Sequence, residues 1–349
     1  MKKRTVVAAL VVVGALALAV AQAQGTQAQT VPTQSMSSAG VQRPLSQTMQ
    51  PSVSPLAAAF SADRYTFNLI GFGRVGYYSD TRGTGRPLVM VTSVNAAASA
   101  YELRPLFEAY RGKRPVYVLE WPGFGSSDRP NIRYTPELMA SALSKMLDIV
   151  GQNSDAQNPD VLALSLGSEF AARVAIQDPR IHSLVFISPT GLSEAKTPAE
   201  IADEPKKAER LYGILSFPPV SATFFGLLTT PQVIDIFLRR SFEGPVDPGL
   251  LSYSVQTAKQ PGGVYAPLFF VAGLLRSADT YTELYTKLST PTLILYDRDG
   301  YVNFTRLPEL LQAKPNVTAV KVTPTKGVPQ FEQLGQVTAA LDAFWAGLK

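Results

Sequence analysis

Cysteine is absent from the 349 residues, and histidine occurs once, as His182. The first absence excludes disulfides, thiolate metal sites and a lipid-modified N-terminal cysteine. The second leaves a single position from which an imidazole could take a proton. Charged side chains make up 17% of the chain, with no basic stripe, so the electrostatic footprint of a nucleic-acid binder is missing. No residue cluster has metal-ligand spacing and no glycine-rich loop has the form of a phosphate cradle, so neither a metal nor another cofactor is implied. What is present is ordinary globular material, 46% apolar, enough for one large domain with an insertion or for two domains.

The formal charge of +5 overstates the basicity of a processed chain. Lys2, Lys3 and Arg4 precede Val6 to Ala21, a run without a polar residue, and Ala21-Gln22-Ala23 offers a small-x-small cleavage pattern. Residues 1–23 therefore read as a secretory signal peptide. Sixteen apolar residues are short for a membrane span. Export to a periplasmic or extracellular location is the expectation, with no lasting span after cleavage. An uncleaved N-terminal membrane anchor is the alternative. Cleavage would leave 29 basic residues of the original 32 against 27 acidic ones.

Residues 24–60 are rich in Gln, Ser, Thr, Ala and Pro and hold too little apolar surface to offset the entropy of ordering, so they read as a flexible linker. Tyr65 to Ile70 and Arg74 to Tyr78, flanking Gly71-Phe72-Gly73, form a hairpin pattern. Four continuous apolar runs then alternate with helical patterns: Leu88 to Thr92, Val116 to Leu119, Val161 to Leu164 and Leu184 to Ile187. Thr292 to Tyr296 and Ala319 to Val322 follow late in the chain. Such runs predict an α/β fold with a mostly parallel, doubly wound sheet covered on both faces. The core would comprise residues 61–191 and 290–349. Residues 192–289 have Leu, Phe and Tyr at helical spacing, interrupted at Pro218-Pro219 and Pro245. They predict a helical insertion late in the sheet, placed at its C-terminal edge, where open α/β sheets bind ligands.

The segment from Asp160 to Arg173 carries the chemistry. A short apolar run rises into Ser165, and a helix-forming run follows at once. A serine at the apex of a sharp strand–turn–helix needs small residues two before and two after it, and Ala163 and Gly167 stand there.

Several patterns together resemble the α/β-hydrolase superfamily over roughly residues 65–349. Trp121-Pro-Gly-Phe-Gly-Ser-Ser-Asp128 resembles the turn after its fourth strand, and Ala163-Leu-Ser-Leu-Gly167 resembles its nucleophile elbow. Pro291 to Gly300 resembles the strand and turn carrying its acid. Gly327-Val-Pro-Gln-Phe-Glu332 resembles its histidine turn. The resemblance implies that Ser165 is the nucleophile, with an oxyanion hole from the N–H of Leu166 and that of Ser93 or Val94. It implies Asp299 as the acid, with Asp297 the second choice, and the helical insertion as a lid.

The base departs from the pattern. Members read Gly-His-x-Pro in this turn, or Pro-His-Phe-Glu. Under the second alignment Gln330 occupies the histidine's place, and under the first Gly327 or Val328 does. His182 precedes its strand, on the order of 15 Å from Ser165 at ~3.3 Å per residue, and reads as a strand-start residue. Lys326 is the one alternative base, against its reading as an ordinary surface lysine. Ser168 falls inside the first helical turn. Glu120 and Glu169 read as a strand-end and a helix-start acid. The implied functions are a divergent serine hydrolase acting on a small or apolar carboxylic ester, a pseudoenzyme binding an apolar small molecule under the lid, and an envelope interaction protein.

Overall fold

The computed structural model describes residues 56–153 and 158–348. Residues 1–55, read above as a signal peptide and most of a linker, lie outside the described residues. Eight strands form one sheet: β1 (Asp63–Leu69), β2 (Gly73–Asp80), β3 (Leu88–Val91), β4 (Val116–Leu119), β5 (Asp160–Leu164), β6 (Ser183–Ile187), β7 (Thr292–Tyr296) and β8 (Val317–Lys321). Their order is β1-β2-β4-β3-β5-β6-β7-β8. β1, β2 and β4 pair antiparallel, and every other neighbour pair is parallel.

The continuous apolar runs are explained by burial on both sides. Alternate residues of a strand face opposite ways. Val89, Val91, Val161 and Ala163 join one core with Met139, Leu143 and Phe170, which belong to α2 (Pro136–Asn153) and α3 (Gly167–Ala175). Leu88, Met90, Leu162 and Leu164 join the other with Leu106, Phe107, Val337 and Leu341, from α1 (Arg104–Tyr110) and α12 (Leu334–Gly347). Leu56, Ala59 and Phe60, placed by composition at the end of the linker, are buried in this second core. Phe60 stacks on Phe107 with ring centroids 4.3 Å apart. Packed structure thus begins at least as early as Leu56.

Between β6 and β7 the chain forms α4 (Pro198–Leu215), α5 (Pro218–Leu228), α6 (Pro231–Arg239), α7 (Pro248–Ala258), α8 (Tyr265–Ala272) and α9 (Thr280–Glu283), with no strand. Four of the nine prolines in this segment are helix starts. Pro198, Pro218, Pro231 and Pro248 each open a helix, where a missing N–H costs nothing and φ is already helical. Thr197, Thr230 and Asp247 cap three of these helices through their side-chain oxygens. Ile234 of α6 and Ala258 of α7 pack with Ala97, in the connection after β3. α10 (Leu307–Ala313) and α11 (Pro329–Glu332) lie in the last part of the core.

Candidate functional site

Ser165 immediately follows β5 and has φ 52°, the left-handed region that an L-residue enters only when its surroundings force it. Its N–H donates to Ile187 O at 2.9 Å, and its carbonyl accepts from Ser168 Oγ at 2.6 Å and Ser168 N at 3.1 Å. A Cβ on Gly167 would lie 2.4 Å from Thr92 O, so glycine is what lets the elbow close against the turn after β3. Trp121 Nε1 donates to that same carbonyl at 2.9 Å. Ser165 itself is half-buried, and its hydroxyl makes no hydrogen bond to any described residue.

The N–H groups of Leu166 and Val94 also have no partner among the described residues. Ser93 differs. Its N–H donates to Glu102 Oε2 at 3.0 Å and its hydroxyl to Glu102 Oε1 at 2.9 Å, so this N–H is already engaged. Asn95 Nδ2 adds a third donor to Glu102 at 2.7 Å. Burial pushes the Glu102 carboxyl up to about 7, against the opposing pull of these three donors. Reading for catalytic motifs missed Glu102. Its one signal is a lone carboxylate between Ala96 and Leu103, a stretch otherwise without charge.

Asp297 and Asp299 follow β7, at the same edge. Asp297 is buried, with Oδ2 accepting from Thr325 N at 3.0 Å and Oδ1 3.5 Å from Lys321 Nζ. Burial raises its pKa, but the Thr325 and Thr323 hydrogen bonds and the Lys321 ammonium together hold it below the ordinary value. Asp299 Oδ1 accepts from the N–H groups of Tyr301 and Val302 at 2.6 and 3.2 Å. Burial raises this carboxyl to about 6. Its Oδ2 faces Gly327: a Cβ there would stand 2.8 Å from it and 3.6 Å from Ser241 Cα. With φ 128° at Gly327, the position opposes a side chain both by backbone strain and by lack of room.

Gln330 is fully buried and donates from Nε2 to the backbone carbonyl of Glu102 at 2.9 Å, while its Oε1 has no partner. It therefore reaches the connection after β3, and Gly327 is the residue beside Asp299. Val328 is half-buried at φ −124°. Lys326 donates its backbone N–H to Glu332 at 3.1 Å, and its ammonium forms no ion pair with a described residue. Glu332 also accepts from the N–H groups of Glu243 and Gly244 at 2.6 and 3.0 Å, tying this turn to the connection between α6 and α7.

The other acids have structural partners. Glu120 is buried and accepts from Ala100 N at 3.0 Å and Ser126 N at 2.6 Å, holding the turn after β4. Glu169 accepts from Thr190 Oγ1 at 2.5 Å and Ser277 N at 2.9 Å. Ser168 Oγ meets Tyr285 Oη at 2.9 Å, and Tyr285 donates on to Thr190 O at 2.8 Å. These bonds anchor the returning end of the helical insertion to α3. Ser188, next to Ser165 across the sheet, also has positive φ, 46°, a second strained apex that sequence reading did not single out. His182 Nδ1 meets Asp160 Oδ1 at 2.9 Å. Asp160 opens β5 and Ser165 follows its end, so the imidazole sits at the far edge, five residues or ~16 Å along the strand.

A model of the alpha/beta hydrolase family matches residues 83–340. No curated protein matches the sequence. Among solved structures, a membrane phospholipase A described as a bacterial virulence factor is 17% identical, with TM-score 0.62 over 82% of this chain and 86% of that one. A thermophilic esterase from Thermogutta terrifontis is 19% identical, with TM-score 0.60 over 82% and 99%. A haloalkane dehalogenase from Agrobacterium tumefaciens is 18% identical, with TM-score 0.61 over 82% and 97%. These three differ in chemistry, so what the chain shares with them is the fold. Together with the family match over most of its length, this shows that the chain belongs to the alpha/beta hydrolase family.

Proposed function

We propose that the chain is an exported serine hydrolase with a degraded triad, acting slowly on small or apolar carboxylic esters. The observation that carries this reading is the strained Ser165 apex beside two unpartnered N–H groups, Leu166 and Val94. Ser165 Oγ would attack the ester carbonyl, and the resulting oxyanion would be held by those two donors. The serine proton would pass to water, since no imidazole stands near. The alkoxide would leave with a proton from solvent, and water would then release the acid from the acyl-enzyme. Without a base such a site retains ~10³–10⁴-fold over the uncatalysed reaction. Helices α4–α9 would act as the lid. A void of about 10 Å³ lies between the connection after β3, the turn after β4 and α7–α8, lined by residues such as Ala97, Phe124 and Pro267.

The second reading is a pseudoenzyme that binds an apolar small molecule under the lid. It is favoured by Gln330, whose amide is bonded to the Glu102 carbonyl and has no useful proton affinity. A gain of activity in Gln330→His would favour the first reading. An imidazole with pKa near ~6.5 should raise Ser165-dependent hydrolysis of p-nitrophenyl esters by ~10²–10⁴-fold. The variant should also gain labelling by a fluorophosphonate, and Ser165→Ala should abolish both. No gain in a folded Gln330→His protein would mean that position 330, set against the Glu102 carbonyl and not beside Asp299, is not the base position, or that the site has turned to binding alone. Fast turnover by the wild type would reveal another base, with Lys326→Met the first variant to examine.

A further inference from the structure

Between Arg210 and Asp235 lie 24 consecutive uncharged residues. They form the end of α4, all of α5 and the start of α6. A helix pair in water ordinarily turns such a stretch inward. Here only Leu215, Leu228, Thr229, Val233 and Ile234 of the stretch are buried. Ile214, Phe217 and Val220 stand 57%, 59% and 37% exposed at the α4–α5 junction. The two helices bend there by 93°, and no single helix among the described residues is long and apolar enough to cross a membrane. The junction is an exposed apolar corner.

Charge identifies the occupant. The nearby acids are neutralised internally: Asp203 by Lys207, Glu204 by Lys196, Glu209 by Arg133 and Asp235 by Arg239. Lys206 and Arg210 form no ion pair with a described residue. They stand eight and four residues before Ile214, hence on the same face of α4 as the exposed apolar side chain. The remaining carboxylate, Glu200, is held in the capping box of α4's first turn, ~20 Å along the helix from Ile214. The corner thus presents apolar side chains backed by unpaired cations and no unpaired anion.

We propose that this corner docks on an anionic lipid surface, with Ile214, Phe217 and Val220 entering the headgroup–acyl boundary and Lys206 and Arg210 meeting lipid phosphates. The docking does not depend on Ser165 or its chemistry.

The test uses the full chain with vesicles of phosphatidylcholine, with and without phosphatidylglycerol. Phe217→Trp places a reporter indole at the corner, read as the difference from wild type because Trp121 and Trp345 also emit. With anionic vesicles its emission should shift to the blue and be quenched by brominated acyl chains. Lys206→Gln with Arg210→Gln should weaken the anionic-vesicle affinity about twenty-five-fold, at about five-fold per charge. The double variant should leave binding to neutral vesicles unchanged. Ile214→Ser should weaken both. The apolar run Val6 to Ala21 is common to all variants, so it cannot produce these differences. An indole that stays in water with anionic vesicles, or a double variant of unchanged affinity, would overturn the proposal. Self-association that Phe217→Ser abolishes, without vesicle binding, would assign the corner to a second copy.

Discussion

Glu102→Gln perturbs the buried carboxyl that accepts from Ser93 and Asn95 in the connection after β3, on the residue whose backbone carbonyl accepts from Gln330. Burial raises this group from 4.5 to about 7. The folded chain therefore holds a proton that the unfolded chain has released. Its stabilising effect is complete below about pH 4.5, is lost as pH rises toward about 7, and stays lost above that. The full loss corresponds to about 3 kcal/mol. The donors from Ser93 and Asn95 favour the ionised form but do not outweigh burial. An amide of the same shape carries no proton to lose. Urea denaturation of both proteins at about pH 5 and about pH 8 should show the variant's stability improving relative to wild type by about 2.5 kcal/mol across that interval, part of the loss having already occurred at pH 5. Asp299 and Glu169, which burial also raises, titrate in both proteins and cancel in the difference. Parallel pH dependences in the two proteins would refute the assignment of Glu102 as a buried carboxyl ionising near neutrality.

Gly167→Ala should cost about 1–3 kcal/mol by overpacking and abolish fluorophosphonate labelling of Ser165, because the added carbon meets Thr92 O at 2.4 Å. Normal melting and labelling would mean that the elbow is not held this closely. His182→Ala should cost about 1 kcal/mol through loss of its bond to Asp160 and leave Ser165 labelling unchanged. A change in labelling would contradict the placement of His182 at the far edge. Mass spectrometry of the protein from its native envelope should find a mature N-terminus near Ala23. Intact Met1 in the membrane fraction would favour the anchor.

The amino-acid sequence by itself determined the sheet and its most strained turn, for local reasons. Strands covered on both faces must be continuously apolar, so Leu88 to Val91 and Asp160 to Leu164 were legible to within a residue or so. Ser165 was legible because only small residues such as Gly167 permit that turn. The prolines of residues 192–289 were ambiguous locally, since proline both stops one helix and starts the next. Tertiary structure decided the rest, because it depends on which groups meet across the fold. Ser93 and Val94 are equivalent as text, and they differ because Glu102, nine residues on, takes the Ser93 N–H. Asp297 and Asp299 are separated by their partners, Thr325 and Lys321 for the first, the bare face of Gly327 for the second. The alignments offered Gln330, Gly327 and Val328 for the missing imidazole. Folding set Gln330 against the Glu102 carbonyl and Gly327 against Asp299, a choice made by the path of the chain after β8, which no local pattern encodes.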